Sequence, residues 1–324
     1  MQKLTPHAMV DEEASLAARA AWLYFSGGLK QGEVAERLGV PGTKAHRLIA
    51  RATRDGFVRV FVDGPVAECV RLEQDLSQRF GLATCRVVPD LGEPGLPLKA
   101  LGLAGAAYLR QVLEGDSHAC IGIGHGRTIA AAVNEMPRVN APGTTIVSLL
   151  GGLTRKFAAN PFDVIHRLAE KTNSAAYLLP VPLYANTAAD KEVLMAQMGV
   201  AKVREMWGRA TLLLAGIGAV GARAHLSEVG SVTEAEMDEL HARGAVGEIL
   251  GHYFDADGAR VPSSLDGRVM APPVEELQNR MLVALAGGRD KAAAMSAVLK
   301  SGLLKGAITD EATARRLVDE MGAP

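Results

Sequence analysis

The sequence predicts an α/β protein, with a small winged helix-turn-helix in front of a doubly wound parallel sheet. Three features predict it. Basic amphipathic helices flank a glycine turn near the front; short apolar strands alternate with alanine-rich helical segments from about residue 81; and close glycines follow several of those strands. At 324 residues, 48% apolar and 22% charged, the chain can bury a sizeable core and reads as a soluble protein with a small domain and a large one. The expected division is 1–64 for the front module, 65–80 for a connector helix and 81–324 for the sheet domain.

Residues 14–25, ASLAARAAWLYF, place Leu16, Ala20, Leu23 and Tyr24 on one helical face, and the Gly27-Gly28 pair ends that helix. A second helix is expected over Gln31–Leu38, turned inward at Val34, Ala35 and Leu38, with Gly39 free to take a left-handed turn. A third runs from Gly42 to Arg54 on a buried stripe of Ala45, Leu48, Ile49 and Ala52. So short a connection between the last two is that of a helix-turn-helix. Next, DGFVRVFVDG gives a turn at Asp55-Gly56, an alternating strand from Phe57 to Val62 and a turn at Asp63-Gly64, as a wing requires.

A basic amphipathic helix by itself is commonly just a solvated face. Here the order of elements and the local charge agree on more. Between Leu16 and Val62 eight basic residues meet three acidic ones, about +5, although the whole chain carries -1. Double-stranded operator DNA is therefore the expected partner. Lys44, Arg47, Arg51 and Arg59 would meet phosphates, while Thr43 and His46 would lie near bases, with Gln31 at the start of the second helix joining them.

In the connector, Cys69, Leu72, Leu76 and Phe80 recur at helical spacing. Such a stripe serves either as a dimer seam or as packing onto the domain that follows. From there the βαβ rhythm implies a sheet covered on both faces, with ligands beyond the carboxyl ends of its strands.

The loops there share a texture. IGIGHGRT leaves a strand and enters a helix near Thr128, so the amides of Gly124 to Arg127, with His125 and Gly126 between them, form a plausible phosphate cradle. SLLGGLTR (Gly151, Gly152, Leu153), LAGIGAVG (Gly218) and ALAGGRDK (Lys291) repeat it. Asn160, Glu248 and Asp255 or Asp257 could bind sugar hydroxyls, and Lys291 a phosphate. Neither GIGHG nor GIGAVG has the acidic residue of a dinucleotide site about twenty residues on, so NAD is disfavoured.

Several classes are set aside. Cys69, Cys85 and Cys120 are scattered, which suits a reduced, cytoplasmic setting better than a disulfide framework. No signal peptide or membrane-spanning stretch is evident. There is no nucleophile elbow, HExxH or P-loop, so no catalytic residue, metal or cofactor is expected.

The motifs together resemble the SorC family of bacterial sugar-binding transcriptional regulators. The likeness runs from Ala14 to the end: AAWLYFSGGLKQGEVAERLGV and HRLIARATRDGFVRVFV in front, then GIGHGRT, SLLGG, AGIG, AVGEILGHYFDADG and ALAGGRDKAAAMSAVLKSGLLKGAITDEATARRLV. It implies a sugar-phosphate-isomerase-like, Rossmann-like effector domain, a sugar, polyol or sugar-phosphate ligand, and a homo-oligomer, usually a tetramer. It places ligand contacts on Gly124 to Thr128, Gly151 to Leu153, Glu248 and Lys291. Where the family often has two serines around the recognition helix, this chain has Pro41 and His46. The rival class is a sugar-phosphate isomerase or kinase-like enzyme carrying an unrelated helical module.

Overall fold

Three short helices need only a thin seam of small side chains to pack, and the front of the chain supplies one. The computed structural model describes residues 12–58, 67–115, 117–152, 164–221 and 224–320, in two units, Met1–Gly64 and Pro65–Pro324. In the first, α1 (Glu12–Ala21), α2 (Gln31–Leu38) and α3 (Gly42–Arg54) enclose Ala17, Ala20, Leu23, Val34, Ala35, Ala45, Leu48 and Ala52. Gly39 ends α2 at φ +63°, the left-handed conformation that glycine adopts without a side-chain clash.

One expectation fails in α1. The helix does not continue regularly to Phe25; Trp22–Ser26 form a π turn closed by the Gly27 N–H to Trp22 O bond at 2.9 Å. That wider turn keeps Leu23 inside but leaves Tyr24 39% exposed, where a regular helix would bury it. Of the expected wing strand, Phe57 and Val58 are not in strand conformation, and residues 59–62, with Asp63 and Gly64, lie outside the described residues.

The second unit opens with α4 (Ala67–Phe80) and then alternates: β1 (Thr84–Val88), α5 (Leu98–Glu114), β2 (Cys120–Ile123), α6 (Arg127–Glu135), β3 (Thr145–Ser148), α7 (Ile165–Thr172), β4 (Ala175–Tyr177). After α8 (Ala188–Met195) and α9 (Met198–Arg209) come β5 (Leu212–Ala215) and an insertion: β6 (Gly218–Ala219), α10 (His225–Glu228), α11 (Glu234–Ala242), β7 (Gly247–Ile249), β8 (His252–Phe254) and α12 (Val274–Leu277). The chain closes through β9 (Met281–Leu285), α13 (Ala292–Lys300), β10 (Gly306–Asp310) and α14 (Glu311–Asp319).

Seven strands form one parallel sheet in the order β1-β10-β9-β5-β2-β3-β4. Strands buried on both faces must be apolar throughout, and Leu212–Ala215 and Leu282–Leu285 are. On one face α5, α6 and α7 bury Leu109, Ile129 and Leu168; on the other, α4, α9, α13 and α14 bury Leu72, Trp207, Met295 and Leu317. The connector stripe thus packs onto the sheet domain, since Cys69, Leu72 and Leu76 belong to that second core. A separate antiparallel sheet, β6-β7-β8, and the break between α8 and α9 at Ala196-Gln197 were not anticipated.

Candidate functional site

Strand order decides where a ligand can enter. From β2 the chain steps outward to β3 and β4, then returns to lay β5 on the opposite side of β2, so the loops after β2 and β5 diverge. Such a switch point opens a crevice at the carboxyl edge. A cleft of about 870 Å³ lies there, adjoined by a smaller, more enclosed pocket of about 60 Å³; Arg127, Ala219 and Lys291 line both.

The end of β2, behind the crevice, needs close backbone approach. A Cβ on Gly124 would sit 3.2 Å from Ala215 Cα, and the Gly124 N–H already bonds Leu214 O at 2.8 Å, so this glycine splices β2 to β5. Gly126, at φ +127°, turns the chain into α6, whose first-turn amides have no partner within the helix and favour an anion. Thr128 ties that helix end to β9, its hydroxyl donating to Leu285 O at 2.7 Å. His125 Nε2 lies 3.1 Å from the Ser148 hydroxyl, which donates its one hydrogen to Leu150 O; the imidazole Nε2–H is therefore the donor in that contact.

Glu248 and Lys291 enter from opposite sides. Glu248 stands opposite Gly218 in the β6–β7 pair, and a Cβ there would come 2.3 Å from its Oε2, so the glycine makes room for the carboxylate rather than a turn. Burial pushes the Glu248 carboxyl up to about 7, moderated by the Gly251 N–H at 2.6 Å and by Lys291. Lys291 Nζ donates to Ile217 O at 2.8 Å; burial, then Arg127, bring it down to about 8 against the opposing pull of Glu248. The ammonium and Arg127 are cations of the kind that pair with a phosphate, and a carboxylate is a group that can accept hydroxyls.

The β7–β8 hairpin beneath Glu248 turns through Leu250 at φ +52° and Gly251 at φ +79°. Two positive φ values define a turn that normally selects asparagine and glycine. A leucine there costs about 1 kcal/mol or more. It is nonetheless 98% buried and lines the enclosed pocket beside Leu150, Leu183 and Leu226.

The structure gathers Gly126, Arg127, Thr128, His125, Gly218, Glu248 and Lys291 around the enclosed pocket. Others fall elsewhere. Gly151 and Gly152 spend their amides on Met270 O and Val181 O, and a Cβ on Gly151 would meet Pro182 O at 2.4 Å, so they join loops instead of lining the cleft. Asp255 closes the turn after β8 by accepting from the Asp257 and Ala259 amides. Leu153 and Asn160 lie outside the described residues. Sequence inspection missed the β1–α5 loop, whose Asp90, Glu93 and Leu96 line the outer cleft, although PDLGEPGLP carries the same glycine-after-strand signal. It also missed His225, whose basicity burial and the nearby Arg127 lower.

Asp310 links this edge to the last helix. Its carboxylate accepts the Gly288 N–H at 2.8 Å, the Thr313 hydroxyl at 2.7 Å and the Thr313 N–H at 3.0 Å, capping α14. One turn on, Arg315 pairs with Glu68 of α4 at 2.9 Å, and Arg71 pairs with the same carboxylate at 2.8 Å.

On the first unit, α3 exposes Thr43, His46 and Arg47, with Lys44 half-buried. Gln31 Nε2 reaches Gly42 O at 3.4 Å and ties α2 to the start of α3. Arg51 is largely occupied inside the unit, bonded to Glu13 at 2.9 Å and Asp55 at 3.0 Å. Arg59 lies outside the described residues. Among the described residues no group of acidic, histidine or cysteine side chains is arranged to hold a metal, and no helix is long and apolar enough to cross a membrane.

A crevice at the switch point of a parallel sheet, lined by cations and a buried carboxylate, is the ligand-binding place of such a fold, and residues 64–319 match the Sugar-bind family, described as "Putative sugar-binding domain". The chain belongs to that family, as a sugar-binding transcriptional regulator of the SorC/DeoR kind. It is 54% identical over 312 residues to the erythritol catabolism regulatory protein EryD of Brucella abortus (strain 2308), covering 96% of this chain and 99% of that one. It is 32% identical to the transcriptional regulator LsrR of Enterobacter sp. (strain 638), over 96% and 94% of the two chains. The full-length sorbitol operon regulator SorC of Klebsiella pneumoniae superposes with TM-score 0.74 over 94% of this chain and 98% of its own, at 24% identity. These relatives are regulators and not enzymes, which answers the isomerase or kinase alternative.

Proposed function

We propose that this protein represses a polyol-catabolic operon in the cytoplasm, binding double-stranded operator DNA through α3 and releasing it when a small phosphorylated polyol fills the carboxyl-edge cleft. One observation carries the effector half: the α6 N-terminus, Arg127 and Lys291 meet Glu248 around a single pocket. Cations and amides suit a phosphate, and a carboxylate suits hydroxyls. The 54% identity to a protein named for erythritol catabolism supports erythritol or its phosphorylated intermediate as the ligand.

DNA contact rests on Lys44 and Arg47 for phosphates and on Thr43 and His46 for bases, with Arg59 of the expected wing as a further phosphate contact. Half-sites one DNA turn apart call for at least two copies, and a homotetramer provides two such pairs. The cleft acts on the front of the chain through Asp310 and α14, whose Arg315 grips Glu68 on α4, the helix that follows the DNA-binding unit in the chain. An effector moves this balance only by its difference in affinity for the two arrangements.

Thermal shift with a panel of polyols and their phosphates tests the reading. A ligand at a hundred times its Kd stabilises the folded protein by about 2.7 kcal/mol, so one four-carbon compound should stand out. Catalytic turnover of a sugar phosphate at an ordinary enzymic rate would overturn it.

A further inference from the structure

We propose that Leu250 sets the length of ligand the effector pocket accepts, selecting a short-chain polyol phosphate by blocking the pocket's inner end. The proposal rests on the cleft being the effector site, as argued above.

The enclosed pocket has about 60 Å³. A water molecule needs about 10 to 15 Å³ of such space, so the pocket holds about four to six heavy atoms, roughly the far end of a four-carbon polyol. Its mouth is shared with the wide cleft at Arg127 and Lys291, where an anion would be held. A ligand anchored there by its phosphate therefore has room for only a short chain at its other end.

Leu250 lines the enclosed pocket and not the wide cleft, which sets it inward of the shared Arg127 and Lys291. It is buried, it lines the pocket with Leu150 and Leu183, and it follows Glu248 by two residues in the same hairpin. Its backbone is held at φ +52°, a conformation that a leucine rarely adopts and that a glycine or asparagine would take readily. The turn geometry alone thus gives no reason for leucine. What leucine adds is four buried side-chain carbons in a lining that also holds the Glu248 carboxylate, where a smaller residue would admit more of a polyol. An apolar wall also gives a further hydroxyl no partner, which penalises longer polyols a second time.

Binding by wild type, Leu250→Gly and Leu250→Asn to erythritol 4-phosphate, ribitol 5-phosphate and glucitol 6-phosphate, measured calorimetrically, tests this. Both substitutions suit the positive φ, and two different side chains guard against one variant failing to fold. Wild type should bind the four-carbon compound at least tenfold more tightly than the six-carbon one, and both variants should bring that ratio below threefold. Four-carbon binding with an unchanged ratio in the variants overturns the role of Leu250 and leaves the effector site standing. A wild-type preference for the longer compounds overturns it as well. No binding of any of the three to wild type overturns both the role of Leu250 and the reading of the cleft.

Discussion

Glu248 and Lys291 carry opposite charges that burial drives in opposite directions, and each leaves a trace in pH. The folded Glu248 carboxyl titrates near 7, above its ordinary 4.5, so the unfolded chain gives up that proton first. Its contribution to stability is complete below about pH 4.5 and is lost as pH rises through 7. Glu248→Gln removes this slope and keeps an oxygen for the Gly251 amide. Melting at pH 5 and pH 8 should show the variant gaining on wild type at the higher pH, by on the order of 1 to 3 kcal/mol. Lys291 behaves inversely. Its folded value near 8 lies below the ordinary 10.5, so the buried ammonium costs stability below pH 8 and the cost fades toward pH 10.5. An anion bound beside it needs that charge, and titrations at pH 7 and pH 9 should show affinity for a polyol phosphate falling by up to about tenfold. Equal affinity at the two values would remove Lys291 from the phosphate.

Among the elements, α3 and α6 are the two helices proposed to meet anions, by different means. On α6 the dipole and a glycine turn act in a crevice; on α3 exposed cations act in open solvent, where salt screens them. Arg47→Ala should therefore weaken binding to all DNA sequences alike and reduce the slope of log affinity against log salt by about 0.9, measured by anisotropy between 50 and 200 mM salt. A loss confined to one sequence would place Arg47 at a base edge instead. Both helices were legible in the sequence, since Ala45, Leu48 and Ala52 recur at helical spacing and Gly126 sits where a strand must turn into a helix. The π turn at Trp22–Ser26 was not, because periodicity averages over the single residue by which such a turn slips. Gly151 and Gly152 misled for a related reason: a glycine needed for close backbone approach has the same spelling as one that cradles a ligand.

For the whole molecule, the doubly wound sheet could be read from alternating apolar and alanine-rich segments, but its strand order could not. That order puts the loops after β2 and β5 at one crevice, where an unanticipated small sheet sets Glu248, far along the chain, in one pocket with Lys291. The cleft's second consequence is the tie from Asp310 through α14 to Glu68. Arg315 is half exposed there, so solvent screens its ion pair and the pair adds little to stability. Arg315→Gln should leave the melting temperature and DNA affinity nearly unchanged while lowering the effector's influence on DNA binding by about 0.5 to 2 kcal/mol. An unaltered effector response would move the coupling elsewhere.

The central claim is that occupation of this cleft controls the grip of α3 on DNA. Anisotropy of labelled promoter DNA, titrated with wild type and with Lys291→Met in the presence and absence of erythritol 4-phosphate, tests it most directly. The account predicts that the ligand weakens wild-type binding at least tenfold, while the variant binds free DNA as wild type does and loses less than threefold on adding ligand. Equal weakening of both proteins, or no weakening of either, would contradict it.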